Sequence, residues 1–201
     1  SFGLAVRLQR KSFFAWLIPL VLFGFIFGAS SQEYSDLVEN IEMFELIKLT
    51  SELFLFAFIG VFAGVITIYT MQSLLRMRKE ESGGPLDNML STSIKRSSFA
   101  LSHIVISLAG SFLLLAVFTL SVSLAAENLT DSFGEYLKVI ISQFGAITVI
   151  CGIITLIYGV VPKIAGLLSG IVVFAGIMAG PFFGAVLQLP DIVLKLSPFK
   201  Y

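Results

Sequence analysis

Ser97 to Ala126 reads SSFALSHIVISLAGSFLLLAVFTLSVSLAA, 30 residues without one Asp, Glu, Lys or Arg. A helix crosses the hydrocarbon core of a bilayer in about 20 apolar residues, so this stretch predicts a membrane span. Outward from it lie four more charge-free stretches, Ser12–Gln32, Leu53–Leu75, Val139–Pro162 and Ile164–Pro190, of 21, 23, 24 and 27 residues. None shows the strict alternation of a membrane barrel strand, and in lipid the remaining way to satisfy every backbone polar group is the helix. Composition agrees: 57% of residues are apolar, 13% are charged, and the mean hydropathy is +0.97, far from the averages of soluble domains. The expected architecture is an all-α polytopic membrane helix bundle of five transmembrane helices, a single transmembrane domain over 1–201.

The formal net charge of zero hides a segregation. Arg7, Arg10 and Lys11 precede the first span, Arg76, Arg78, Lys79, Lys95 and Arg96 lie between the second and third, and Lys163 separates the fourth and fifth. The opposite connections are acidic, with Glu33, Asp36, Glu39, Glu42, Glu45 and Glu52 in one and Glu127, Asp131 and Glu135 in the other. Basic residues near span ends stay on the cytoplasmic side, which predicts a cytoplasmic amino terminus and Asp191 to Tyr201 emerging outside. The expected location is a bacterial plasma membrane, with the lipid bilayer as solvent and no nucleic acid as partner.

Phe2 to Lys11 mixes apolar and basic residues, which fits either a short interfacial helix leading into span one or a positive flank that sets topology. The acids of the first outer connection recur every three residues, with Leu37, Val38, Ile41, Phe44 and Ile47 between them. That spacing predicts an outer amphipathic helix over 33–52, its carboxylates forming a solvated face or recruiting a cation. Asn128 to Thr130 fits the glycosylation acceptor pattern. Gly60, Ala63 and Gly64 in span two and Gly166, Gly170 and Gly176 to Gly180 in span five are small residues that let helices approach closely in lipid. Gly180 followed by Pro181 predicts a kink or break in the fifth span.

Charge is absent from the spans, which argues against an ion-coupled carrier with intramembrane carboxylates or broken half-helices. His103, the single histidine, reads as an interfacial hydrogen-bonding residue or a gate, and the lone Cys151 as a packing residue. No nucleophile with its base, metal-ligand spacing or phosphate-binding loop is present, so no catalytic residues, metal or cofactor are expected on this chain. Energy from a partner becomes the better reading. The 20 phenylalanines read as lipid-facing or core, or in part as the wall of an apolar route.

The polar island Arg76–Arg96, RMRKEESGGPLDNMLSTSIKR, is where such a partner could dock. Gly84 and Pro85 mark a helix start. Asp87 complements its positive end, Lys95 and Arg96 its negative end. Leu86, Met89, Leu90 and Ile94 then share one face at helical spacing. The stripe either lies on the bilayer or seats in a groove of a soluble partner.

Glu80, Glu81, Gly84, Leu86, Asp87, Met89, Leu90, Ser91, Ile94 and Arg96 resemble the cytoplasmic loop of type-2 permeases of ATP-binding-cassette exporters, which follows the second span of a six-span unit. Ser93 stands where that family usually has proline, and Lys95 where it has serine. Phe99, Ser102 and His103 resemble the start of the third span in the branch that exports polyketide antibiotics, and Leu196 to Phe199 resemble that branch's L-S-P-F motif before its sixth span. The resemblance covers most of the chain at the level of topology. It implies that Glu80, Glu81, Pro85, Leu86, Asp87, Met89, Leu90, Ile94 and Arg96 belong to a coupling helix on a nucleotide-binding ATPase subunit. That partner would carry ATP and magnesium, and the exported compound would be hydrophobic or amphiphilic, such as an antibiotic, a drug or a lipid-like molecule. It implies also a carboxy-terminal six-span unit lacking its last span, paired with a second transmembrane unit from the same permease or from a homologous subunit. A non-transporting membrane assembly or scaffold subunit that binds a soluble partner is the alternative.

Overall fold

The computed structural model of the chain describes residues 2–39, 51–82, 96–126, 133–180 and 198–200. All regular structure among them is helical: α1 (Phe2–Glu39), α2 (Ser51–Ser82), α3 (Arg96–Ala125), α4 (Phe133–Val160), α5 (Ala165–Met178) and a closing 3-10 turn, Pro198–Lys200. Four of the helices, α1 to α4, are long and apolar enough to cross a membrane. The fifth, α5, is apolar but has 14 residues, about 21 Å at the helical rise against a hydrocarbon core of about 30 Å. The chain is a helical membrane bundle.

Helix ends and apolar-run ends differ. The amino-terminal segment is not a separate interfacial helix: α1 runs unbroken through 38 residues, with Pro19 inside it. Nothing between Lys11 and Ser12 breaks a helix, and the side chain of Lys11 remains exposed at the start of the apolar run. The acidic stretch 33–52 is shared at its described ends, 33–39 completing α1 and Ser51 and Glu52 opening α2, while 40–50 lie outside the described residues. Beyond Leu75, α2 continues through the charged Arg76–Ser82, whose Arg, Met, Lys and Glu are good helix formers. At its start α4 takes in Phe133 to Lys138, where Lys138 pairs with Glu135 across 2.7 Å on an exposed turn. Of the fifth span, expected to Pro190, 181–190 lie outside the described residues and the described part is helical to Met178; the amides of Ala179 and Gly180 close the last turn on the carbonyls of Ala175 and Ile177. A residue preceding proline is pushed out of the α region, which stops the helix ahead of Pro181.

Successive helices run in opposite directions. Phe13 meets Tyr69 and Phe27 meets Phe58 between α1 and α2, and Phe112 meets Phe144 between α3 and α4. The same alternation brings Arg7, Arg10 and Lys11 on α1, Arg76 on α2 and Lys163 in the α4–α5 turn to one end of the bundle, here the basic end. The other end, with Glu135, is the acidic end. Phe199 is buried beside Ile150 of α4 and Gly176 of α5.

Close helix contact falls on two of the glycines the sequence pattern singles out, Gly64 and Gly176, and on others it does not. A Cβ on Gly24 of α1 would lie 2.7 Å from Ser121 Cβ, and one on Gly28 would run into the Val122 carbonyl, so α1 and α3 touch backbone to backbone here. Gly64 packs on Ile177, as close packing of span two requires, but Gly60 is loosely faced by Gln143, Gly166 by Leu75, and Gly170 faces open space. Toward the acidic end Phe23, Phe27, Phe58, Phe62 and Phe118 form a continuous aromatic stack across α1, α2 and α3. Outward, α1 shows Phe14, Ile18, Leu22, Phe25 and Ile26, and α4 shows Leu137, Ile141, Val149, Ile153, Leu156 and Val160, apolar stripes that lipid covers.

Candidate functional site

Polar side chains concentrate on one seam at the basic end of α1, α2 and α3. On α3, His103, Ser107 and Ser111 recur every four residues and so share a face. On α2, Thr67, Thr70 and Ser73 do the same every three, with Tyr69 beside them. All seven are buried, none more than 3% exposed.

The hydroxyls are connected across the helix boundary. Ser107 Oγ donates to the Thr70 carbonyl at 3.1 Å, and Thr70 Oγ1 and Ser111 Oγ lie 2.7 Å apart. Each hydroxyl has one proton, so the pair has two consistent arrangements. Either Thr70 donates to Ser111 and Ser111 to the Ser107 carbonyl, 2.8 Å away, or Ser111 donates to Thr70 and Thr70 to the Ile66 carbonyl, 3.2 Å away. The shorter backbone contact favours the first. The bonds then close a circuit: Ser107 to Thr70 backbone, Thr70 side chain to Ser111, Ser111 back to Ser107.

Two further features sit on this seam. A Cβ at Gly110 would lie 3.0 Å from Tyr69 Cε1 and Cζ and closer still to the hydroxyl, so the tyrosine tip is seated in the notch that the glycine leaves. Ser73 donates to Gln9 Oε1 at 2.7 Å, tying α2 to the first turns of α1, and Trp16 Nε1 donates to Gln72 Oε1 at 3.2 Å a little deeper. Thr67 donates to the Gly64 carbonyl of its own helix.

These groups hold helices together. The serine and threonine protons are committed to carbonyls or to one another, and among the described residues no cluster of three His, Cys, Asp or Glu could hold a metal ion. Cys151 is buried in α4, within the apolar core cluster. His103 is 1% exposed at the head of the α3 row.

Of the residues proposed for partner docking, Glu80 and Glu81 fall in the last turn of α2 and Arg96 is the first residue of α3. The antiparallel pairing of these helices brings the three backbones to the basic end. Pro85, Leu86, Asp87, Met89, Leu90 and Ile94 lie outside the described residues, as does Asn128 to Thr130. The seam begins about 13 Å below Ser82 at Ser73 and about 10 Å below Arg96 at His103, counted at 1.5 Å per residue. Sequence reading missed Thr67, Tyr69, Thr70, Ser73, Ser107 and Ser111, although their helical spacing was visible.

Long apolar helices, a lipid-covered outer surface and polar side chains gathered on an interhelical seam define an integral membrane domain. Over residues 1–201 the chain matches, and belongs to, the family described as multidrug efflux system permease Rv1217c, C-terminal domain. It is 24% identical over 211 residues to the multidrug efflux system permease protein Rv1217c of Mycobacterium tuberculosis (strain ATCC 25618 / H37Rv), an alignment covering 100% of this chain and 38% of that relative. The chain thus spans less than half the length of the relative it matches.

Proposed function

We propose that this chain is the transmembrane permease portion of an ATP-driven exporter, coupled to a separate ATPase through the 76–96 connection. Membership in a family named for a multidrug efflux permease is the observation that carries this reading. The loop motif and its place between α2 and α3 support the rest. The apolar face Leu86, Met89, Leu90 and Ile94 seats on the nucleotide-binding subunit, flanked by Glu80, Glu81, Pro85, Asp87 and Arg96. That subunit binds ATP and magnesium. A second transmembrane unit completes the translocation path, and the cargo is hydrophobic or amphiphilic, the local motifs lying nearest those of polyketide-antibiotic exporters.

The test is affinity purification of the complete permease from native membranes. The expected result is co-purification of an ATPase that carries a phosphate-binding loop, together with loss of ethidium efflux in Leu90→Asp at unchanged membrane abundance. Absence of such a subunit, with full efflux in Leu90→Asp, overturns the proposal.

A further inference from the structure

We propose that the Thr70–Ser111–Ser107 circuit and the Tyr69–Gly110 notch clamp α2 to α3, so that a displacement of the 83–95 connection moves both helices as one hairpin. The inference rests on reading that connection as the coupling element; the clamp itself rests on geometry. Two links cross the α2/α3 boundary, Ser107 to the Thr70 carbonyl at 3.1 Å and Thr70 to Ser111 at 2.7 Å. They lie where water is scarce, so a link lost during sliding is not replaced by solvent. The notch adds a steric register. A slide along the helix axis would carry the Tyr69 tip off Gly110 toward Ser107 or Leu114, the buried residues three and four away on the same face, which bear side chains where Gly110 bears none. Farther along the same pair, Phe62 stacks on Phe118 with ring centres 4.4 Å apart, so the hairpin is pinned at two depths. At the same end Ser73 to Gln9 and Trp16 to Gln72 tie the hairpin to α1.

The experiment is a reversible cross-link. Thr70→Cys and Ser111→Cys are introduced together in the complete transporter, otherwise free of cysteine and with Cys151→Ala, and oxidised in membranes. Ethidium efflux is followed before oxidation, after it, and after reduction. A clamped hairpin forms the cross-link and keeps most of its efflux, because the two positions never separate. Failure to cross-link, or loss of most efflux that reduction restores, overturns the clamp.

A second pair of variants loosens the clamp. Thr70→Val with Ser111→Ala is expected to lower efflux per ATP hydrolysed, whereas Thr70→Ser with Ser111 intact keeps the ratio. An unchanged ratio in the double variant counts against the clamp. Leu90→Asp separates the two ideas. If it leaves efflux intact, the coupling reading falls whatever the cross-link shows. If it abolishes efflux while the cross-linked pair also fails, only the clamp falls.

Discussion

The two halves of the α1–α2–α3 bundle are held by different forces. Toward the acidic end, Phe23, Phe27, Phe58, Phe62 and Phe118 pack ring on ring, and Gly24 and Gly28 bring α1 onto the α3 backbone. Toward the basic end the interface is made of hydroxyls, an amide and a tyrosine seated on glycine. Lipid is as apolar as phenylalanine, so in a membrane neither half gains from leaving water, and both must gain from contact. Aromatic pairs contribute about 0.5–1.5 kcal/mol each beyond area burial, interhelical hydrogen bonds about 0.6 kcal/mol on average. The aromatic half supplies cohesion. The polar half supplies register, because a hydrogen bond and a notch have one correct alignment whereas a greasy surface has several.

That division can be broken from the cohesive side first. Phe118→Ala removes a fully buried ring from the stack, and at about 3–5 kcal/mol for such a truncation it is expected to lower the thermal midpoint of the detergent-purified domain more than any single change in the polar seam. A smaller loss from Phe118→Ala than from Thr70→Val would reverse the assignment of roles.

Next in size come the glycines. Gly28→Ala drives a methyl into the Val122 carbonyl and within 2.7 Å of Ala125 Cβ, so an overpacking cost of about 1–3 kcal/mol is expected. Gly110→Ala meets the end of a side chain instead. Its destabilisation should be partly relieved by Tyr69→Phe, which removes the closest atom, whereas the closest atom to Gly28→Ala is the Val122 carbonyl, which no side-chain change removes. Equal rescue at both sites, scored by thermal unfolding, would mean that the α1–α3 contact is softer than its backbone approach implies.

Smaller again is Thr70→Val, expected to cost about 1 kcal/mol in stability while broadening the distance distribution between spin labels on α2 and α3. Lys138→Met sets the floor. Its partner Glu135 sits on an exposed turn, and an exposed ion pair of this kind contributes about 0–1 kcal/mol, so the unfolding midpoint should not move measurably. A shift as large as that of Thr70→Val would show that the acidic end is not held by its aromatic stack alone.

The fold was legible because lipid imposes a crude rule: charge-free runs of sufficient length become helices. Less legible were the ends. The sequence marks where the apolar run stops, at Leu75, but a helix of good formers has no reason to stop with it, and α2 continues to Ser82. Proline and glycine were better punctuation, with α5 ending two residues short of Gly180–Pro181. The seam was legible as spacing but not as a site. His103, Ser107 and Ser111 stand four apart in the sequence, yet only packing shows that their face meets Thr70 and not lipid. The glycines teach the same lesson. Gly24, Gly28 and Gly110 are no more conspicuous in the chain than Gly170, and what separates them is the neighbour each one meets.

Near the end of α5, Gly176 carries no side chain, and Phe199, 23 residues farther along the chain, packs 3.5 Å from where a Cβ would stand, beside Ile150. The ring works as a stopper inserted from a distance. Shaving the chain back past Pro198 would therefore be felt as an open cavity between two helices, not as a lost tail.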